Sequence, residues 1–438
     1  MLGNLNMKVK PKIKINLVLT GLIDNEFEKD SGGIQLSEIS FSENLAKFSL
    51  GKIDLTVFAR GESKKNKNRK MKNGGFKIKI IPSYSSYLGG IYQTWDFSHR
   101  VDRFLSLDLE KGPQIIHFTS IGPALTFLTP EFWYFKKRKK FSTAVCYTLY
   151  NFHYSISQKP YDIFTLYPDE WKFLHDEERK IVLKSDFVFV PSFNFVDYLE
   201  RKFRREIIYL PNTIGSIKTY GSKCSELFRE KDYFMVLSMC RLAREKNLRR
   251  VIKSFSYFKK TKYSVGFKLF IAGDGEEKGD LISYGNNLGL RVLERKEKER
   301  LDSLLRKAKN NDVIFLGKIV ETEKKKIWNL SDIFFLPSLR EVSPLVGLEA
   351  LAYGKPIVAS NIYGWKDIKD IGGIIYLCNP QNVLEMAYAL SSCVSATLKY
   401  KRKIFFKQRE VYRRYYSPEV VIPRRIKIYE KIMKRITK

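Results

Sequence analysis

Short apolar, β-branched runs alternate along the chain with stretches whose apolar positions recur at helical spacing. The runs at 15–19, 53–58, 78–81, 115–118, 144–149, 187–190 and 207–210 predict strands. After a polar interval the pattern restarts at 234–238, 268–272, 313–316, 333–337, 357–359 and 374–377. Between strands, Leu248, Val251, Ile252, Phe255 and Phe258 illustrate the helical period. Strand–helix alternation of this kind predicts parallel, doubly wound sheets. The alternation fails over 213–232, a polar and weakly patterned stretch, which predicts a linker between an N-terminal domain (1–212) and a C-terminal domain (233–398). The basic segment 399–438 reads as helix, broken near Tyr416-Ser417-Pro418, where proline forces a new start. It is expected to pack back toward the N-terminal domain.

Composition narrows the class. In 438 residues, 44% apolar and 29% charged positions give a globular balance, so low-complexity and disulfide-stapled classes are excluded. The five cysteines are scattered without metal-ligand spacing, which predicts a reduced, cytoplasmic chain. Four histidines in no paired array argue against a histidine-built metal site. Neither a cleavable leader nor an uncharged run of membrane-spanning length is expected. The anomaly is charge: 79 Lys and Arg against 47 Asp and Glu give a formal +32. Such an excess favours polyanions, whether nucleic acid, anionic lipid or phosphorylated substrate, without choosing among them.

The candidate chemistry lies in the second half. After the strand at 333–337 comes a short loop holding Glu341, then Ser343 as N-cap and Pro344 as the first helical residue, with the helix ending at Gly354. A helix N-terminus at the carboxyl end of a parallel strand offers free amides, which suits a diphosphate. Glu341 and Glu349 flank that site, where a carboxylate can accept paired hydrogen bonds from vicinal hydroxyls of a sugar or ribose. Two glutamates at this spacing also occur as ordinary surface acids. Upstream, Arg241 and Lys246 precede a helix capped by Asn247 and would meet the same crevice. Two cations beside helix amides are what a departing nucleoside diphosphate needs; a solvated basic loop is the plain alternative. The segments 269–275 and 314–319 leave strands into glycine turns, where backbone can approach a ligand closely.

Together these pieces resemble the retaining family-4 glycosyltransferases. The order is Ser238, Arg241 and Lys246 in S-x-x-R-x4-K, then IAGDG, FLG, and E-x7-E followed by A-x-G-K-P-x-x-A-S. The resemblance is strong from about 233 to 390 and weaker before it. It implies the GT-B fold: α/β, two Rossmann-like doubly wound parallel-sheet domains facing across a cleft. It also implies transfer of a sugar from a nucleotide-diphosphate donor to an acceptor hydroxyl, with retention and without a metal or other cofactor. On that footing Arg241, Lys246 and Glu341 are the catalytic candidates. Gly32, Gly33, Gly273, Ile319, Ser343, Leu345, Val346 and Glu349 are the donor-binding candidates, with Glu349 on the ribose and backbone near Ile319 on the base.

One departure concerns the histidine that the family often carries after the strand at 144–149. Tyr150 occupies its position, so either the Tyr150 phenol or His153 would contact the sugar. His117, at a strand end, fits either packing or acceptor contact. The aromatic stretch 121–135 runs into five consecutive cations at 136–140, a composition that suits a membrane interface. Residues 121–140 are therefore expected to hold the chain peripherally on the anionic cytoplasmic leaflet, facing a glycan or lipid-linked acceptor. The acid-free basic run 64–72 reads as a loop. The alternative is a basic nucleic-acid-binding protein or an inactive GT-B relative, but no recognition helix, zinc finger or RNA-binding aromatic strand is present, so nucleic acid is not expected.

Overall fold

The computed structural model describes residues 13–22, 33–61, 67–69, 76–82, 113–119, 124–125, 143–149, 168–214 and 233–438. The expectations for Gly32, Tyr150, His153, most of 121–140 and most of the linker lie outside these residues.

The N-terminal sheet contains β1 (Ile13–Leu22), β2 (Ile53–Gly61), β3 (Lys67–Arg69), β4 (Phe76–Pro82), β5 (Gln114–Phe118), β6 (Thr143–Thr148), β7 (Phe187–Val190) and β8 (Ile208–Tyr209). Helices α1 (Gly33–Phe48), α2 (Pro168–Lys184) and α3 (Val196–Phe203) accompany them. The order is β3-β4-β2-β1-β5-β6-β7-β8, parallel except where β3 runs against β4. Strand β3 corrects the reading of 64–72 as a loop. Lys67, Asn68 and Arg69 carry no apolar signature, and main-chain pairing to β4 alone holds them at the sheet edge.

The C-terminal sheet is wholly parallel: β9 (Phe234–Met239), β10 (Phe267–Ala272), β11 (Val292–Glu294), β12 (Val313–Gly317), β13 (Ile333–Leu336), β14 (Ile357–Ser360) and β15 (Ile375–Cys378). Its order is β11-β12-β10-β9-β13-β14-β15, so strand order reverses at β9, between β10 and β13. The crevice outside the carboxyl ends of β9 and β13 is the place where such sheets bind ligands. The helices are α4 (Leu248–Phe258), α5 (Lys278–Asn287), α6 (Leu301–Lys307), α7 (Glu321–Leu330), α8 (Leu345–Ala352), α9 (Tyr363–Asp370), α10 (Val383–Tyr415) and α11 (Pro418–Ile436). Strands β10 and β13 are buried at every position, which explains why β13 reads as an unbroken apolar run and β10 as one interrupted only by Lys268.

Helix α10 is kinked at Tyr400 (φ −127°, ψ 24°), beside the expected boundary at 398/399. Its second half stays on the C-terminal domain, where Gln408 Nε2 donates to Lys355 O at 2.7 Å and Ile374 O at 3.0 Å. The return to the N-terminal sheet is made by α11, narrower than the segment 399–438 expected from sequence. Ile422, Ile426, Tyr429 and Ile432 of α11 share a core with Ile15, Leu17 and Ile115. Arg425 Nη2 donates to Pro211 O at 3.1 Å, so the helix also clasps the end of the interdomain segment.

Candidate donor site between the two domains

The loops leaving β9 and β13 are joined by one ion pair. Lys246 Nζ donates to Glu341 Oε1 at 2.8 Å, with both side chains mostly buried. Burial opposes the ammonium, but the Glu341 carboxylate overrides it by charge and hydrogen bonding and holds Lys246 above its ordinary value. An ammonium has three donors, so this pair leaves two for a ligand. Arg241 is exposed and outside that ion pair, with Nη2 donating to Glu245 Oε1 at 2.7 Å. Cys240, beside Lys246, is pushed by burial up to about 12, which keeps it a thiol rather than a nucleophile.

Asn247 precedes α4 as expected but does not cap it with its side chain. The residue is left-handed (φ 61°), and Nδ2 donates to Pro337 O at 2.9 Å and Pro380 O at 2.8 Å. It therefore ties the exits of β13 and β15 to that of β9. Asparagine suits this place because it tolerates the left-handed region and carries two N–H donors.

Helix α8 starts one residue later than expected. Pro344 is its N-cap, extended at φ −68° and ψ 113°, and Ser343 gives no capping hydrogen bond. Asn212 Nδ2 of the interdomain segment donates to Ser343 O at 3.4 Å, holding the loop extended that much longer. The amides of Gly347 and Leu348 return to Pro344 O. None of the hydrogen bonds among the described residues takes up the amides of Leu345 or Val346, the first two of the helix.

Glu349, one turn on, is held from α7. Lys324 Nζ donates to Oε1, and Trp328 Nε1 donates to Oε2 at 3.1 Å. Trp328 is fully buried and stacks on Tyr353 at 5.7 Å between centroids. Each carboxylate oxygen retains a second lone pair, enough to accept one hydroxyl apiece. Ile319 packs its side chain onto the domain core. Its neighbours Lys318 and Val320, but not Ile319 itself, line an open pocket of about 900 Å³ at the ends of β10, β11 and β12, with Asp274, Arg295 and Lys326 also in its wall.

Of the two glycine turns, the one after β10 packs against the protein itself, while a Cβ at Gly317 would meet nothing within 4 Å. At Gly273 (φ +136°) a Cβ would lie 1.8 Å from Cys240 O, and at Gly275 one would lie 2.4 Å from Leu242 O. The β10 and β9 loops approach closely there, joined by Leu242 N donating to Asp274 O at 2.9 Å. Gly33 is the first residue of α1. His117 is buried, with Nδ1 2.7 Å from Tyr429 Oη and Nε2 2.6 Å from Thr148 Oγ1. Burial, with Arg425 adding to it, lowers its pKa to about 3. Of its two readings the geometry is that of packing: both ring nitrogens are spent inside the domain, so it has none for an acceptor.

The sequence reading missed the contacts that cross the cleft. Val342, next to Glu341, is buried in the N-terminal core with Phe118, Tyr147 and Ile181. Arg340 feels Glu178 of α2 as well as Glu245 and Glu341, while burial lowers its pKa. Glu178 is fully buried and accepts from Tyr147 Oη at 2.8 Å. The only signal for Arg340 is its place beside Glu341; Glu178, within the acidic run 176–178, reads as a solvated face. Among the described residues no group of three or more His, Cys, Asp or Glu could hold a metal ion.

Residues 225–404 match the family described as Glycosyl transferases group 1. Relatives include an uncharacterised glycosyltransferase of Methanocaldococcus jannaschii, 28% identical over 157 residues and 35% of each chain. The alpha-monoglucosyldiacylglycerol synthase of Streptococcus pneumoniae is 31% identical over 124 residues, 28% of this chain and 23% of that one. An alpha-1,3/1,6-mannosyltransferase of Dictyostelium discoideum is 31% identical over 183 residues, 40% of each. These similarities span less than half the length of each relative. Among solved structures, sucrose-phosphate synthase from Thermosynechococcus elongatus superposes with a TM-score of 0.67 at 16% identity, covering 97% of this chain and all of that one. The catalytic domain of starch synthase IV from Arabidopsis thaliana gives 0.66 at 12%, with the same coverage. The fold is therefore GT-B, two Rossmann-like domains, and residues 225–404 are similar to the group 1 glycosyltransferases.

Proposed function

We propose that the chain is a retaining glycosyltransferase that moves a sugar from a nucleotide-diphosphate sugar to an acceptor hydroxyl without a metal. The observation that carries this reading is the Lys246–Glu341 pair beside the open amides of Leu345 and Val346, at the switch point of the C-terminal sheet. Lys246, Arg241 and the α8 amides would take the charge that grows on the leaving diphosphate. Glu341 would meet the donor sugar, Glu349 the ribose, and the pocket around Ile319 the base. The bond from the anomeric carbon to the diphosphate oxygen breaks with its electron pair going to the diphosphate. The acceptor oxygen bonds to that carbon from the same face, and its proton passes to the leaving phosphate. No protein nucleophile is assigned.

The acceptor is read as lipid-linked and the chain as peripheral on the cytoplasmic face of a membrane. The basic charge and the similarity to a glycolipid synthase support this, and no described helix is long and apolar enough to cross a membrane. The test is incubation with a panel of nucleotide sugars and a diacylglycerol-type acceptor, followed by NMR of the new anomeric centre. Retained configuration supports the reading. Inverted product, or no turnover with any donor, overturns it.

A further inference from the structure

We propose that the outer face of the second half of α10 docks on an anionic lipid bilayer. Between 398 and 415 the sequence holds eight cations and one acid, Glu410. The inner face of this half-helix is consumed by packing, with Ile404, Phe405, Gln408, Val411 and Tyr412 buried. The outer face is mixed in a particular way. Arg402, Phe406, Arg409 and Arg413 recur at intervals of four, three and four residues, which puts them in one stripe.

The apolar members of this stripe are open: Leu398 is 52% exposed and Phe406 50%, while Tyr400, at the kink (47%), and Tyr415, near the helix end (37%), are exposed off it. Each aromatic carries a cation: Arg402 lies 6.0 Å from the Phe406 ring centre, Lys399 5.1 Å from Tyr400, and Arg414 5.6 Å from Tyr415. The single acid is neutralised locally, since Lys407 Nζ lies 3.3 Å from Glu410 Oε2. Lys401 is drawn inward to Asp332 at 2.8 Å, so it takes no part. Open aromatics and a leucine among cations in large excess over one paired acid match the headgroup boundary of a bilayer, where rings enter the acyl edge and guanidinium groups meet phosphates. Single-stranded nucleic acid is the weaker match. This is the convex face of one helix rather than a groove, and Leu398 offers no ring to stack on a base.

The inference stands apart from the sugar-transfer reading and from residues 121–140, because it rests on the exposure and spacing of α10 alone. Its test is co-sedimentation of the full chain with vesicles of phosphatidylcholine, alone or mixed with phosphatidylglycerol. The wild type should sediment only with the mixed vesicles. Arg402→Glu/Lys403→Glu/Arg413→Glu should lower the partition coefficient roughly tenfold or more. Phe406→Ala should lower it several-fold even at low salt, which distinguishes insertion from ionic attraction. All these positions are exposed, so an unchanged melting temperature checks folding, and a preserved nucleotide-induced shift reports separately on the donor site. Sedimentation of these variants like the wild type would overturn the proposal. So would loss of binding only when Lys136–Lys140 is neutralised, or binding to single-stranded RNA with none to vesicles.

Discussion

Lys246 and Glu341, ninety-five residues apart, meet at 2.8 Å and lock the loop after β9 to the loop after β13. The pair sits where strand order reverses, so the fold brings a cation, a carboxylate and the start of α8 to one crevice. Removing the cation should act on stability and on ligand binding together. Lys246→Ala leaves Glu341 buried beside an empty place and should cost about 3 kcal/mol of stability. Chemical denaturation checks this, with Arg241→Ala as the comparison. The exposed Arg241–Glu245 pair should cost under about 1 kcal/mol.

The turn after β10 depends on glycine for want of room. Gly273→Ala would drive a methyl into Cys240 O in a left-handed backbone, and the C-terminal domain should lose most of its stability. Gly51→Ala, also left-handed but with nothing within 4 Å, should cost only about 1 kcal/mol. Equal melting temperatures for the two variants would contradict the packing described for the β9 and β10 loops.

His117 gives a pH dependence of definite sign. Its folded pKa of about 3 lies below the ordinary 6.5, so the unfolded chain binds the proton more readily. Its contribution to stability is complete above pH 6.5 and is lost as pH falls toward 3. His117→Gln should therefore flatten the acid limb of a stability–pH curve. An unchanged limb would show that the ring titrates normally.

Asp367 works in the opposite direction at the domain interface. Its Oδ1 accepts from Asn194 N at 3.1 Å and Asn194 Nδ2 at 2.7 Å, and burial pushes it up to about 6. The folded state thus favours the protonated acid. Its contribution is fully present below about 3.8 and is lost as pH rises through 6. Asp367→Asn should gain relative to wild type at pH 8 and gain little at pH 4, measured as a difference in melting temperature.

Glu349 is set by Trp328 as much as by its own helix. Trp328→Phe keeps the buried ring but removes the donor to Oε2. Nucleoside diphosphate affinity should fall roughly tenfold, the size of a hydrogen bond to a charged group, with a modest change in melting temperature. Calorimetric titration measures it.

Much of this architecture was legible in the chain. The central strands of the C-terminal sheet stand out because burial makes them mostly apolar, and the loop residues Arg241, Lys246 and Glu341 and the helix residue Glu349 follow from the strand–loop–helix order and its motifs. Strands β3 and β11 escaped because edge pairing needs no apolar pattern. The partners of the site escaped for another reason: Lys324 and Trp328 reach Glu349 from a different helix, and Arg340 feels the charge of Glu178 from the other domain. Local spacing carries no trace of such contacts. Asn247 was placed correctly before α4, yet its bonds run to Pro337 and Pro380, which only the folded sheet brings near.

The central claim is a nucleoside diphosphate site at the Lys246–Glu341 pair. The most direct test is calorimetric titration of the wild type and Lys246→Ala with UDP, GDP, ADP and CMP. One nucleotide should bind the wild type, and the variant should bind it at least about tenfold more weakly, as loss of a charge-assisted phosphate contact requires. Equal affinity in both proteins, or no binding of any nucleotide to the wild type, would contradict the account.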